Sequence, residues 1–255
     1  MVRVDFLVDG FNVYHSLRAA SADLVHDGAS PEEASTRWLN LESLMRSYLP
    51  LFGREATMGR VHYFSAFANH LVGENPDVVR RHQLYIRALK STGVLTTMGG
   101  FKKKMTGACD ACGENVERRE EKKTDVAIAM RLLEVFIRDE ADLVVLVTGD
   151  TDQVPAVEVA KDLFPERSVH CAFPYKRKNK ELAQVSDGSF NISRKNYLNH
   201  QFENPLTLRS GREIESPMRG EQGRCFNLQA TVQIRFLSSL AARCSTLSEC
   251  WNTLT

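Results

Sequence analysis

Four aspartates stand where an acidic metal centre needs them. Asp9 closes a short apolar run, Val4 to Val8 interrupted by Asp5, and is followed by Gly10. Asp150 and Asp152 follow the run Leu143-Val144-Val145-Leu146-Val147 across Thr148-Gly149, and Asp125 lies at the start of the helical pattern that leads into that run. Singly, each has an ordinary structural role. Asp9-Gly10 suits a turn, Asp125 complements a helix dipole, and Asp150 or Asp152 can cap a helix beginning near Val154. Gathered at one point they repel one another, and binding a divalent cation offsets that repulsion. Oxygen donors of this kind suit Mg²⁺ or Mn²⁺.

The elements that must position these carboxylates alternate strand and helix. Strands are expected at Arg3–Val8, Arg60–Phe67, Val94–Met98, 143–147 and Ser168–Phe173, with a weak strand near Phe190–Ile192. Helices are expected at Asn12–Ala20, Leu41–Leu49, from Asn75-Pro76 to about Ser91, Thr124–Phe136, Val154–Leu163 and Glu181–Val185. Residues 21–37 read as a loop in which Ser30-Pro31-Glu32-Glu33 begins a helix. The alternation implies an α/β fold with a mainly parallel sheet covered on both faces. In such sheets ligands gather at the carboxyl ends of strands, where the strand order reverses. Residues 99–123 break the rhythm and read as an excursion from the core. The domain spans 1–203, and 204–255 reads as a poorly structured, flexible tail in which only Gln229–Ala242 suggests a short helix.

Val8-Asp9-Gly10-Phe11-Asn12, Glu121 to Val126 and Thr148-Gly149-Asp150-Thr151-Asp152 resemble, in order and spacing, the three signatures of the NYN domain, the LabA-like branch of the PIN-like nucleases. The resemblance covers about residues 3–200. It implies a PIN-like three-layer α/β/α sandwich and a metal-dependent ribonuclease, with Asp9, Asn12, Asp125, Asp150 and Asp152 at the motif positions. Asp9, Asp125, Asp150 and Asp152 are then the metal ligands, and cleavage leaves 5′-phosphate and 3′-hydroxyl ends. Two departures stand out. Gln153 occupies a place usually aromatic or apolar in the family, and Lys123 one where glycine is frequent. The expected chemistry runs with one ion or two. One, held chiefly by Asp9 and Asp150, activates the attacking water; a second, nearer Asp125 or Asp152, neutralises the leaving oxygen. Asn12 and Thr148 position these groups by hydrogen bonding.

The chain has 33 basic and 32 acidic residues among 255, a formal net charge of +1, so RNA contact must come from local clusters rather than bulk charge. Lys123, Lys176, Arg177, Lys178 and Lys180 are the candidates, with Lys122 and the run Lys102–Lys104; Tyr175 and Phe173 are expected to stack on bases. Cys109 and Cys112 form a C-x-x-C pair with half a zinc ligand set. His62, His70, His82 or Cys171 could complete it, but a plain surface turn is the simpler reading. His15 reads as helix surface or a core-satisfied imidazole. No apolar stretch reaches the roughly 18 residues that cross a bilayer, and no signal-peptide layout is visible, so a cytoplasmic chain with reduced thiols is expected. The partner expected is single-stranded RNA; a homodimer is compatible. Two rivals remain: a non-catalytic RNA-binding module on the same fold, and a haloacid-dehalogenase-like phosphatase. Phe11 disfavours the phosphatase, since that chemistry wants a second Asp there.

Overall fold

The apolar runs after Arg3 and Asp142 become the two central strands of a parallel sheet. The computed structural model describes residues 1–73, 75–108 and 115–217, with the backbone alone over 102–108 and 115–122. The chain divides into two units, Met1–Gly100 with Glu121–Arg219, and Phe101–Glu120 with Gly220–Thr255. In the first, β1 (Val2–Asp9), β2 (Ala56–Ala66), β3 (Leu95–Ala108), β5 (Leu143–Val147), β6 (Ser168–Phe173) and β7 (Gly188–Asn191) lie in the order β3-β2-β1-β5-β6-β7. Every neighbouring pair among these is parallel. β3 runs on into the second unit from Phe101, and there pairs with β4 (Asn115–Lys122). The 99–123 excursion therefore carries strand, which its lysine-rich, charge-mixed sequence gives no apolar alternation to reveal.

Side chains leave a strand to alternate faces, and this divides the core in two. Val4, Phe6, Val8, Leu143, Val145 and Val147 pack with α1 (Gly10–His26), α2 (Leu41–Arg46), α3 (Val78–Ser91) and α7 (Arg194–Asn199). Leu7, Val144 and Leu146 pack with α4 (Thr124–Ile137), α5 (Val154–Leu163) and α6 (Lys180–Val185). Helix layers on both faces of the sheet give the three-layer sandwich. Among the described residues, no helix is long and apolar enough to cross a membrane.

Three local readings need correction. The helix expected from Ser30 is only a turn: Ser30 and Glu33 exchange capping hydrogen bonds, yet the chain must bend so that Thr36 can donate to the Leu17 carbonyl. Residues 21–26 are helix rather than loop, because Ser21 and Asp23 find partners on Ala34 and Tyr175; α1 stops only before Gly28, at φ 98°. Within 204–217 the chain forms a hairpin of β8 (Leu206–Thr207) and β9 (Glu213–Ile214), with Ile214 buried in the first core. Residues 218–255, including Gln229–Ala242, lie outside the described residues.

His82 on α3 meets Phe67 and Tyr63 edge-on, and its Nε2 is buried with no hydrogen-bond partner among the described residues. Burial lowers its pKa to about 4. The folded chain thus binds that proton more weakly than the unfolded chain, whose histidine titrates near 6.5. The neutral ring's contribution is whole above pH 6.5 and is lost as pH falls toward 4. His82→Phe should flatten the stability profile across that window, by about 1.4 kcal/mol per unit of restored shift. Urea melts of both proteins at pH 7 and pH 4.5 measure it; parallel profiles would refute the assignment.

Candidate metal centre

Strand order reverses between β1 and β5, the place where an α/β sheet opens a crevice. Val8 pairs with Val147, so Asp9 and Thr148 leave the sheet side by side. Asp9 caps α1: its Oδ1 accepts from the backbone N–H groups of Phe11 and Asn12, both at 3.0 Å. Its Oδ2 accepts from Asn12 Nδ2 at 2.6 Å and Thr148 Oγ1 at 2.9 Å. Thr148 Oγ1 in turn accepts from Asp150 N at 3.1 Å, and Asn12 Oδ1 from Gly149 N at 3.3 Å. Asn12 and Thr148 thereby fasten the β1 turn to the β5 turn.

Asp150 begins the short turn 151–153, its Oδ1 accepting from Asp152 N at 3.1 Å. The cap roles and the convergence hold together. One carboxylate oxygen from each of Asp9, Asp125 and Asp150 lies within 4.8 Å of the other two. Asp152 is exposed and outside that triad; what it gives Asp150 is its backbone N–H. Burial pushes the Asp9 pKa up, hydrogen bonds from Asn12 and Thr148 pull it down, and the charge of Asp150 raises it further. At the opposite sheet edge the acids are neutralised: Asp142 pairs with Arg3 and Arg167, which hold its pKa well below the carboxylate range. Among the described residues, no ion pair reaches Asp9 or Asp150. Buried or half-buried carboxylates aimed at one point fit a hard divalent ion.

Two residues that hold this centre escaped the sequence reading. Gln153, 1% exposed, donates from Nε2 to the Asp125 carbonyl at 3.3 Å and ties the start of α4 to the Asp150 turn. Its departure from a usually apolar position was its only signal. Asn179 caps α6 and donates from Nδ2 to the Gly149 carbonyl at 3.2 Å. Its place before a short helical pattern signals the cap but not the second bond. Lys123 has φ 85°, a left-handed conformation that accounts for the glycine frequent there.

The basic loop divides. Lys176 Nζ pairs with Asp23 at 2.6 Å, and the Tyr175 hydroxyl donates to the same carboxylate at 2.8 Å. Arg177, Lys178 and Lys180 are exposed. Phe173 cannot stack on a base, because it is fully buried in the second core. His15 is half-buried; burial, then the charges of Arg177 and Arg18, lowers its pKa. Cys109 and Cys112 lie outside the described residues, as do the side chains of Lys102–Lys104 and Lys122. Cys171 is buried and its thiol is pushed up to about 11, which opposes the thiolate that zinc requires.

The family model for the NYN domain matches residues 3–193. The chain belongs to the NYN domain family. No curated protein matches it significantly. The NYN chain is similar in structure to a protein of unknown function from Vibrio parahaemolyticus, at 17% identity and a TM-score of 0.49, over 75% of this chain and 93% of that one.

Thr148→Val tests the fastening of the NYN centre. It removes the donor to Asp9 Oδ2 and the acceptor for Asp150 N while keeping the shape. A cost of about 1–3 kcal/mol is expected, since both partners are left short in a largely buried place. Chemical denaturation reads it, and an unchanged midpoint would show that the hydroxyl carries neither bond.

Proposed function

We propose that this NYN chain is a metal-dependent endoribonuclease acting on single-stranded RNA in the cytoplasm. The observation that carries the reading is the convergence of Asp9, Asp125 and Asp150 within 4.8 Å at the sheet's switch point. These three would hold Mg²⁺ or Mn²⁺, with the exposed Asp152 available to a second ion. When bound, the metal supplies Lewis-acid stabilisation of phosphate charge and a more acidic water.

The chain's own residues do the rest. The Asn12 and Thr148 side chains hold Asp9 Oδ2 and the backbone N–H groups of Phe11 and Asn12 hold Oδ1, so the carboxylate cannot swing as charge develops. Gln153 holds the start of α4, and so Asp125, against the turn that carries Asp150. Arg177, Lys178 and Lys180 offset the negative field that would otherwise repel RNA, with Lys123 on the α4 side. Water attack on the scissile phosphorus breaks the bond to the 3′ oxygen, which leaves with a proton; the products carry 5′-phosphate and 3′-hydroxyl ends.

The test is to incubate the purified chain with end-labelled single-stranded RNA and, separately, p-nitrophenyl phosphate, with Mn²⁺ or EDTA. RNA should be cut internally with Mn²⁺ alone, and p-nitrophenyl phosphate left intact. Binding without metal-dependent cleavage would instead identify a non-catalytic module, and phosphatase turnover alone would exclude the nuclease.

A further inference from the structure

The carboxyl edge of the sheet continues past the aspartates. Asp9 ends β1 and Asp150 follows β5; β6 and β7 come next in the same edge, at successive spacings of about 4.8 Å. Beyond the ends of β6 and β7 the chain encloses a cleft of about 520 Å³. Its walls include Tyr175, Lys176, Lys178, Asn191, Arg194 and Lys195. Among the described residues no acidic side chain lines it, although the whole chain is nearly neutral.

The four cations are of two kinds. Lys176 pairs with Asp23 at 2.6 Å and Arg194 with Asp27 at 2.5 Å, so these two are anchored to α1 and its end. The anchoring carboxylates also shape the wall, since Asp23 holds the Tyr175 hydroxyl. Lys178 and Lys195 make no ion pair among the described residues, and both are exposed or half-exposed to solvent. An anchored pair beside an unneutralised pair leaves net positive charge in a preformed concavity.

The cleft is joined to the metal centre through one short segment. A Cβ on Gly149 would lie 2.0 Å from the Arg177 carbonyl oxygen, so the backbone at 177 rests on the turn that carries Asp150. Asn179 bonds the same glycine's carbonyl. Between these two contacts stands Lys178, which faces the cleft. A chain of phosphates crossing the aspartates would therefore meet Lys178 as it leaves them.

We infer that this cleft is a backbone subsite, in which Lys178 and Lys195 take phosphates of an RNA strand that flank the bond to be cut. The choice of RNA rests on the ribonuclease reading above. The phosphate chemistry rests on the cleft itself. Lys178, in the loop after β6, and Lys195, in the first turn of α7, line one cleft from separate segments, which offers a repeating anion two contacts.

The experiment measures binding apart from cleavage. Fluorescence anisotropy in EDTA reports the affinity of the whole chain for a labelled 12-nucleotide single-stranded RNA across a salt series. In Lys178→Gln/Lys195→Gln, affinity should fall roughly tenfold at low salt, and the slope of log K against log salt by about 1.4, near 0.7 for each lost phosphate contact. Arg87→Gln/Lys90→Gln, on the exposed end of α3 at the other sheet edge, should leave both values unchanged. An unaltered slope in the cleft variant overturns the inference, even if RNA is still cut with Mn²⁺. So does a variant that loses adenosine monophosphate binding but keeps RNA affinity. A chain that binds RNA through the cleft without ever cutting it sustains the subsite and refutes only the nuclease.

Discussion

Asp150→Asn should abolish Mn²⁺-dependent RNA cleavage, lowering kcat by at least about 100-fold, while the fold remains intact. The side chain keeps its oxygen for the Asp152 N–H, so the cap at 151–153 survives. What is lost is one of three converging negative charges. With two carboxylates, the site no longer offsets the cost of stripping a hard cation of its water, and the electrostatic stabilisation that the ion gives the transition state goes with it. Stability should move the other way. Asp150 raises the Asp9 pKa by charge repulsion, so its neutralisation relieves the buried Asp9. Without metal the variant should therefore melt at or slightly above the wild-type temperature; with Mn²⁺ only the wild type should gain. Equal Mn²⁺ stabilisation of both proteins would show that the ion binds elsewhere. Cleavage that persists in the variant would trace to a contaminant or to a different site.

Gly149→Ala should be the most damaging substitution that leaves every proposed ligand in place. The added methyl would lie 2.0 Å from the Arg177 carbonyl oxygen and 3.1 Å from its carbon, and backbone atoms cannot turn aside as a flexible side chain does. Overpacking of this kind costs roughly 1–3 kcal/mol. Here the relief must come from separating the 176–180 loop from the Asp150 turn, which also strains the bonds of Gly149 to Asn12 and Asn179. The denaturation midpoint should fall with m unchanged, and Mn²⁺ affinity should fall beyond what the stability loss explains. Asn179→Ala, which removes a hydrogen bond without adding bulk, should reproduce the second effect in milder form. A Gly149→Ala protein of wild-type midpoint would mean that the two segments do not touch in solution.

What the sequence discloses, and what it withholds, follows from range. Asp9 and Asp150 were legible because each terminates an apolar run that only a doubly covered strand explains. Asp125 was legible because it opens an amphipathic helix. Their meeting needed the strand order, which the alternation of elements and the NYN motifs together implied. The losses are of two kinds. Short elements with weak patterns, such as α7 and the β8–β9 hairpin, are held by tertiary contacts: Tyr197 on α7 is fully buried and bonds Ser16, far away in sequence. Distant partners of polar residues were not legible. Lys176 pairs with Asp23, on α1, which its position in the basic loop gives no sign of. Phe173 reads as a stacking ring because it adjoins a basic loop, but the strand's alternation sends it into the core.

The centre draws its parts from opposite ends of a long stretch of chain: Asp9 closes the first strand, while the loop that seats Gly149 follows the sixth. Proteins are made from the N-terminus. During synthesis Asp9 and Asn12 are therefore made well before Asp125 and Asp150, and the loop that braces Gly149 comes later still.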